Sequence, residues 1–213
     1  MKALLLRAIW PAARSWRSRR RVFAHAALFS ALIALAACSS AGGRLVSAGT
    51  DVHPFDLQID TNMDWARVRL PRVELWTIDG LPLNEFVIVS RVKPNEHVFL
   101  DSRERKRRPD GPWYRPGMRP DEIRDVILDA LRQQGWSNVS ASNLRPAQFG
   151  AVAGLRFDAQ LTQQNGLRYK ATFGAAERGG RLTHFFWMAP AEYYYARDID
   201  AVSRMIDTLR FVD

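Results

Sequence analysis

The sequence predicts an α+β domain: a twisted antiparallel β-sheet with an amphipathic helix near 120–134 and a C-terminal helix packed on it. Three observations predict it. Residues 155–175 alternate strictly between apolar and polar side chains, the period of a half-buried strand, and two glycine turns interrupt such runs. Ile123, Val126, Ile127, Ala130 and Leu131 recur at helical spacing, and Ile199, Val202, Ile206 and Leu209 repeat that spacing near the end of the chain.

In chain order, Phe55, Leu57 and Ile59 alternate with polar neighbours, and Trp65, Val68, Leu70, Val73, Leu75 and Trp76 supply further strand material around Pro71. Asp79-Gly80 marks a turn, and Phe86 to Val92 form another apolar strand, so the first half reads as an antiparallel meander. Asp101 to Pro120 is rich in charge, proline and glycine, a long connection beside the usual 4–6 residues or so. The helix that follows has Pro120 at its first position, Asp121 and Glu122 for the N-terminal dipole, and Gly135 as its stop.

Leu155, Phe157, Ala159 and Leu161 then face one way, as do Leu167, Tyr169, Ala171, Phe173 and Ala175. For both rows to share a face, opposed residues must be odd-numbered, which selects a three-residue loop, Gln164-Asn165-Gly166, with Gly166 left-handed. Arg178-Gly179-Gly180-Arg181 suits a two-residue turn that pairs Phe173 with Phe186 and Ala175 with His184. That register sends Phe185 and Trp187 to the opposite face, where a covering helix is expected, since contiguous exposed aromatic patches are uncommon.

The layout, closing in a helix that ends Asp207-Thr208-Leu209-Arg210-Phe211, resembles the PsbP-like α/β sandwich families over Ala151 to Phe211. That resemblance implies an assembly or binding factor and carries over no site residue.

Ahead of the domain, Arg17, Arg19, Arg20 and Arg21 precede an apolar run from Val22 to Ala37, the plan of a secretory signal. The run ends in Leu35-Ala36-Ala37-Cys38, which resembles the lipobox of bacterial lipoproteins and holds the only cysteine of the chain. The resemblance implies cleavage before Cys38 and acylation at it, and two or more acyl chains give stable anchoring. Ser39 after the cysteine implies the outer membrane by analogy with enterobacterial sorting. The expected organisation is therefore a signal peptide over 1–37, a flexible tether over 38–54 and a single domain over 55–213.

The formal charge of +9 falls on this reading. Residues 1–37 hold seven of the 31 basic side chains and no acid, leaving 24 against 22 acidic, a net of +2. Nucleic-acid binding loses its main support. With Cys38 acylated no disulfide can form, and a chain of 159 residues from Phe55 must hold together by its core.

Arg103, Arg105, Lys106, Arg107 and Arg108 form the densest charge run of the domain, and Trp113 and Tyr114 lie in the same loop. Cations beside aromatic rings suit an anionic glycolipid or an envelope protein, although charge runs are usually solvated faces. Tyr193-Tyr194-Tyr195 cannot all point inward. No metal-ligand spacing, phosphate loop or nucleophile elbow occurs; His53, His97 and His184 are scattered, and no cofactor is implied. The expected function is non-enzymatic binding or assembly at the membrane. The alternatives are an envelope hydrolase using a carboxylate pair drawn from Asp60, Asp64 and Asp79, or a homo-oligomeric structural lipoprotein.

Overall fold

The structure is a computed structural model that describes residues 43–101 and 110–212. Leu35, Ala36, Ala37, Cys38 and the run Arg103, Arg105, Lys106, Arg107, Arg108 lie outside the described residues. The strands are β1 (Arg44–Val46), β2 (Asp51–Val52), β3 (Leu57–Asp60), β4 (Trp65–Leu70), β5 (Val73–Thr77), β6 (Glu85–Val92), β7 (Ser137–Phe149), β8 (Val152–Thr162), β9 (Arg168–Arg178), β10 (Arg181–Pro190) and β11 (Arg210–Phe211). The helices are α1 (Pro120–Gln133) and α2 (Tyr194–Asp207).

An eight-stranded antiparallel sheet runs β1-β4-β5-β6-β10-β9-β8-β7, and a three-stranded sheet runs β11-β3-β2. Both α+β layers anticipated from the pattern are present. One face of the large sheet packs α1, through Ile123, Ile127, Ala130 and Leu131, on Phe157, Tyr169, Phe173 and Phe186. The other packs α2 and the small sheet, through Val202, Met205, Ile206, Leu57 and Ile59, on Trp65, Trp76, Phe86, Phe185 and Trp187. Phe185 and Trp187 are thus covered, as the hairpin register required.

Both hairpins have the expected register. Leu161 opposes Tyr169 around a loop whose Gly166 has φ +86°, and Phe173 opposes Phe186 across Gly179 (φ +58°) and Gly180 (φ +70°). Two positive φ values in succession make the type I′ turn whose twist matches the strands. α1 ends in a Schellman motif: Trp136 N–H donates to the Leu131 carbonyl and Gly135 N–H to that of Arg132, with Gly135 at φ +92°. α2 is tied at its first turn by Arg197, which pairs with both Asp198 and Asp79. Asn84 also holds Asp79, donating to its carboxylate at 2.6 Å.

Three expectations are corrected. The stretch 38–54 is not all tether: the folded unit begins at Gly43, β1 pairs with β4, and β2 pairs with β3. Val46 and Val52 are buried, but strands of three and two residues joined through Gly49 are too short for a period to register. The strand holding Leu57 and Ile59 also leaves the meander, which is β4-β5-β6 alone, to join the small sheet. Finally, the closing helix stops at Asp207, and Arg210-Phe211, expected at its end, form β11 against β3. β7 carries no strand signature in the sequence pattern. As an edge strand, largely exposed and polar, it lacks the apolar alternation, and its register shifts beside Asn138 (φ +49°) and Asn143 (φ +54°). Bulges of this kind blunt an edge against pairing with other chains.

Gly174 lies opposite Phe185, and a methyl group there would come within 2.3 Å of its ring. Gly174→Ala should destabilise the domain by about 1–3 kcal/mol, the cost of overpacking a filled core. Urea titration checks this, and an unchanged midpoint would contradict the packing.

Candidate binding cleft

The cleft arises where the ends of β4, β5 and β6 meet the long connection to α1. Pro71-Arg72 makes the two-residue turn between Leu70 and Val73, with Arg72 in the left-handed region at φ +62°. The Arg72 carbonyl accepts from Ser90 N–H, and its guanidinium donates to Glu96 at 2.7 and 3.2 Å and to the Arg91 carbonyl at 3.1 Å. That pairing holds the Glu96 carboxyl below the usual carboxylate range, helped by the Lys93 N–H. Glu96 therefore stays a carboxylate and is unsuited to give up a proton.

The two ends of the connection are zipped together. Tyr114 N–H donates to the Glu96 carbonyl, Asn95 N–H to the Tyr114 carbonyl and Val98 N–H to the Pro112 carbonyl, and His97 and Trp113 form a bridge. Arg72, Asn95, Glu96, His97, Leu100, Asp101 and Trp113 line a cavity of about 300 Å³ at this junction. Asn95 (φ +60°) and Leu100 (φ +58°) join Arg72 in the left-handed region, a concentration of costly backbone typical of sites that hold a fixed geometry.

Behind the cleft the packing is aromatic. His97 stands edge-on to Trp113 with centroids 5.6 Å apart, and its Nδ1 accepts from Phe99 N–H. Phe99 lies edge-on to His184 and to Phe186, so the loop is keyed into the sheet through β10. His184 is fully buried, its Nε2–H donating to the Val98 carbonyl at 2.8 Å. Burial pushes its pKa down to about 4.

Of the aromatic pair predicted for binding, only Trp113 lines the cleft; Tyr114 is a correction. It is fully buried among Val98, Ile123 and their neighbours because successive residues of the bridge segment point to opposite sides. Asp101, a cleft residue, leads directly into the basic run, whose own residues lie outside the described set. Arg72, Asn95, Glu96, Leu100 and Asp101 were not anticipated; the turn-forming Pro71-Arg72 and Lys93-Pro94-Asn95-Glu96 were the available signals.

The carboxylates considered for a hydrolase are not brought together. Asp60 meets Arg210, Asp64 accepts from Ala48 N–H, and Asp79 is bound to Arg197 and Asn84. Among the described residues no cluster of three His, Cys, Asp or Glu side chains could hold a metal ion. Of the tyrosine triplet, Tyr193 is exposed, and the Arg197 guanidinium lies beside both it and Tyr194. No described helix is long and apolar enough to cross a membrane.

No protein-family model matches the sequence, and no curated protein matches it. Among solved structures, the chain is similar to cyanobacterial PsbP (CyanoP) from Synechocystis sp. PCC 6803, with a TM-score of 0.51 and 9% identity over 80% of this chain and 93% of that one. LpqN of Mycobacterium tuberculosis, described as involved in cell envelope biogenesis, matches with a TM-score of 0.37 and 8% identity over 82% of this chain and 88% of that one. A protein from Bacteroides thetaiotaomicron matches at 0.40 and 11% identity over 74% of this chain, which spans only 46% of that longer protein. At such identities what is shared is the fold, a PsbP-like α/β sandwich.

The buried histidine yields a pH dependence. Folded His184 stays neutral down to about pH 4, whereas the unfolded chain takes up that proton near pH 6.5. Between these values the unfolded state binds more protons, so stability falls as the pH drops from 6.5 to 4, by on the order of 3 kcal/mol. Urea midpoints at pH 7 and pH 4.5 should show the fall, and His184→Gln should flatten it; an equal fall in the variant would assign it elsewhere.

Proposed function

We propose that this chain is an outer-membrane lipoprotein, acylated at Cys38, whose domain binds an envelope protein or anionic glycolipid at the cleft without catalysing a reaction. The observation that carries the binding reading is the junction at His97 and Trp113, where one cavity is lined by Asp101, ahead of the basic run in sequence, and by Trp113, beyond it. A ligand held there meets an aromatic face and the hydrogen-bonding groups of Asn95 and the ion-paired Arg72. Arg103, Arg105, Lys106, Arg107 and Arg108, entered two residues after Asp101, add cations, each contributing on the order of 1 kcal/mol near an anionic surface. Anchoring raises the domain's effective concentration at the membrane, so a modest site suffices.

Two measurements test the reading. Intact mass and fractionation of the expressed protein should show cleavage before Cys38, added acyl mass and membrane association, all lost in Cys38→Ser. Changing Arg105, Lys106, Arg107 and Arg108 to Ser should leave anchoring intact while abolishing the salt-sensitive capture of the partner from membrane fractions; undiminished capture would contradict a role for the run. Trp113→Ala should weaken capture at high salt as well, because the ring's contribution is not screened.

A further inference from the structure

The outward face of β1, β4 and β5 is built unlike an open sheet face. An antiparallel sheet with one side in water alternates apolar-in and polar-out. Here the residues that share a face across the three strands are Leu45, Ala66, Val68, Leu70, Val73 and Leu75, with Thr77 at the end, and none is charged. The charged residues of these strands, Arg44, Arg67, Arg69 and Glu74, all alternate onto the other side. Further along the same face, Val87 and Val89 of β6 are buried, but among the described residues the cover stops there: Leu45 is 67% exposed, Leu70 48% and Val68 40%.

We infer that this apolar strip docks into the interfacial region of the lipid bilayer, and the inference rests on the acylation of Cys38 proposed above. The length of chain ahead of the strip selects that occupant. Arg44, the first residue of β1, follows Cys38 by six residues, and a fully extended chain of that length reaches about 20 Å. A domain so closely held cannot move far from the surface, and the strand nearest its anchor carries Leu45, the most exposed large apolar side chain of the described residues. Acyl chains and strip are then two attachments on one short connection, and the second adds orientation to the first.

The experiment places a single thiol on the strip. Mature, acylated protein carrying Val68→Cys is labelled with an environment-sensitive fluorophore in vesicles of phosphatidylethanolamine and phosphatidylglycerol; acylated Cys38 is unreactive. Gln160→Cys, on the far side of the sheet order, serves as control. Docking predicts a blue shift and loss of emission on adding depth-quenching lipids at position 68 but not at 160. Equal quenching at both positions, or at neither, would overturn the inference, as would crosslinking of two copies through position 68, which would make the strip a protein interface. If mass shows Cys38 unmodified, the lipoprotein reading fails by itself. The strip is then tested in the full chain carrying Cys38→Ser with Val68→Cys on the same vesicles, where absence of a shift would count against it.

Discussion

Burial of β10 on both sides is the constraint on which the rest of the structure depends. From Leu182 to Pro190 every residue is buried, and β6 beside it is nearly so. A strand that is apolar on both faces cannot lie at a surface, so the sheet needs a layer on each side. One layer is α1 with the ends of the long connection, resting on the stacked rings of Phe157, Phe173 and Phe186. The other is α2 with the small sheet, resting on the chain of edge-to-face and tilted contacts from Trp65 through Trp76, Phe86 and Phe185 to Phe149. Each fully buried aromatic or aliphatic side chain contributes roughly 1.5–3 kcal/mol, which explains how a domain without disulfides holds together.

The cleft is a by-product of the same arrangement. Register shifts between Leu182 and His184 where β10 meets β6, and Thr183 there accepts the N–H of Arg91, itself left-handed at φ +56°. Beyond that bulge the pairing resumes at Leu182 and Val92, and β6 ends there, just ahead of Lys93. His184 and Phe186 then fasten the loop at Val98 and Phe99, so the walls of the cleft are fixed from the core outward. The opposite consequence appears at β1, β4 and β5, beyond the reach of α1, where the apolar pattern continues without a covering layer among the described residues.

Much of this was legible in the residues. Helix spacing, capping residues and the glycines of the two hairpins are local signals, realised where local preference and burial agree; the exception is the end of the chain, where α2 stops at Asp207 and Arg210–Phe211 pair with β3 instead. Phe185 and Trp187 could be assigned to a covered face from register alone. What was not legible depended on partners distant in sequence. Val46 declares itself only against Trp65, and β7 is polar because an edge strand has little to bury. Tyr114 and Trp113 are indistinguishable by type, and only the bridge to His97 decides which ring faces the cavity. Arg72 and Glu96 lie 24 residues apart, and nothing in either neighbourhood announces the pair.

Amide hydrogen exchange on the full chain tests the central claim most directly, because protection reports local opening. If two-sided burial of β10 organises the domain, its amides from Leu182 to Ala189 exchange only through global unfolding, with those of β6 close behind, while β1 and β7 exchange far sooner. Exchange of β10 as fast as that of β1 or β7 would contradict the account.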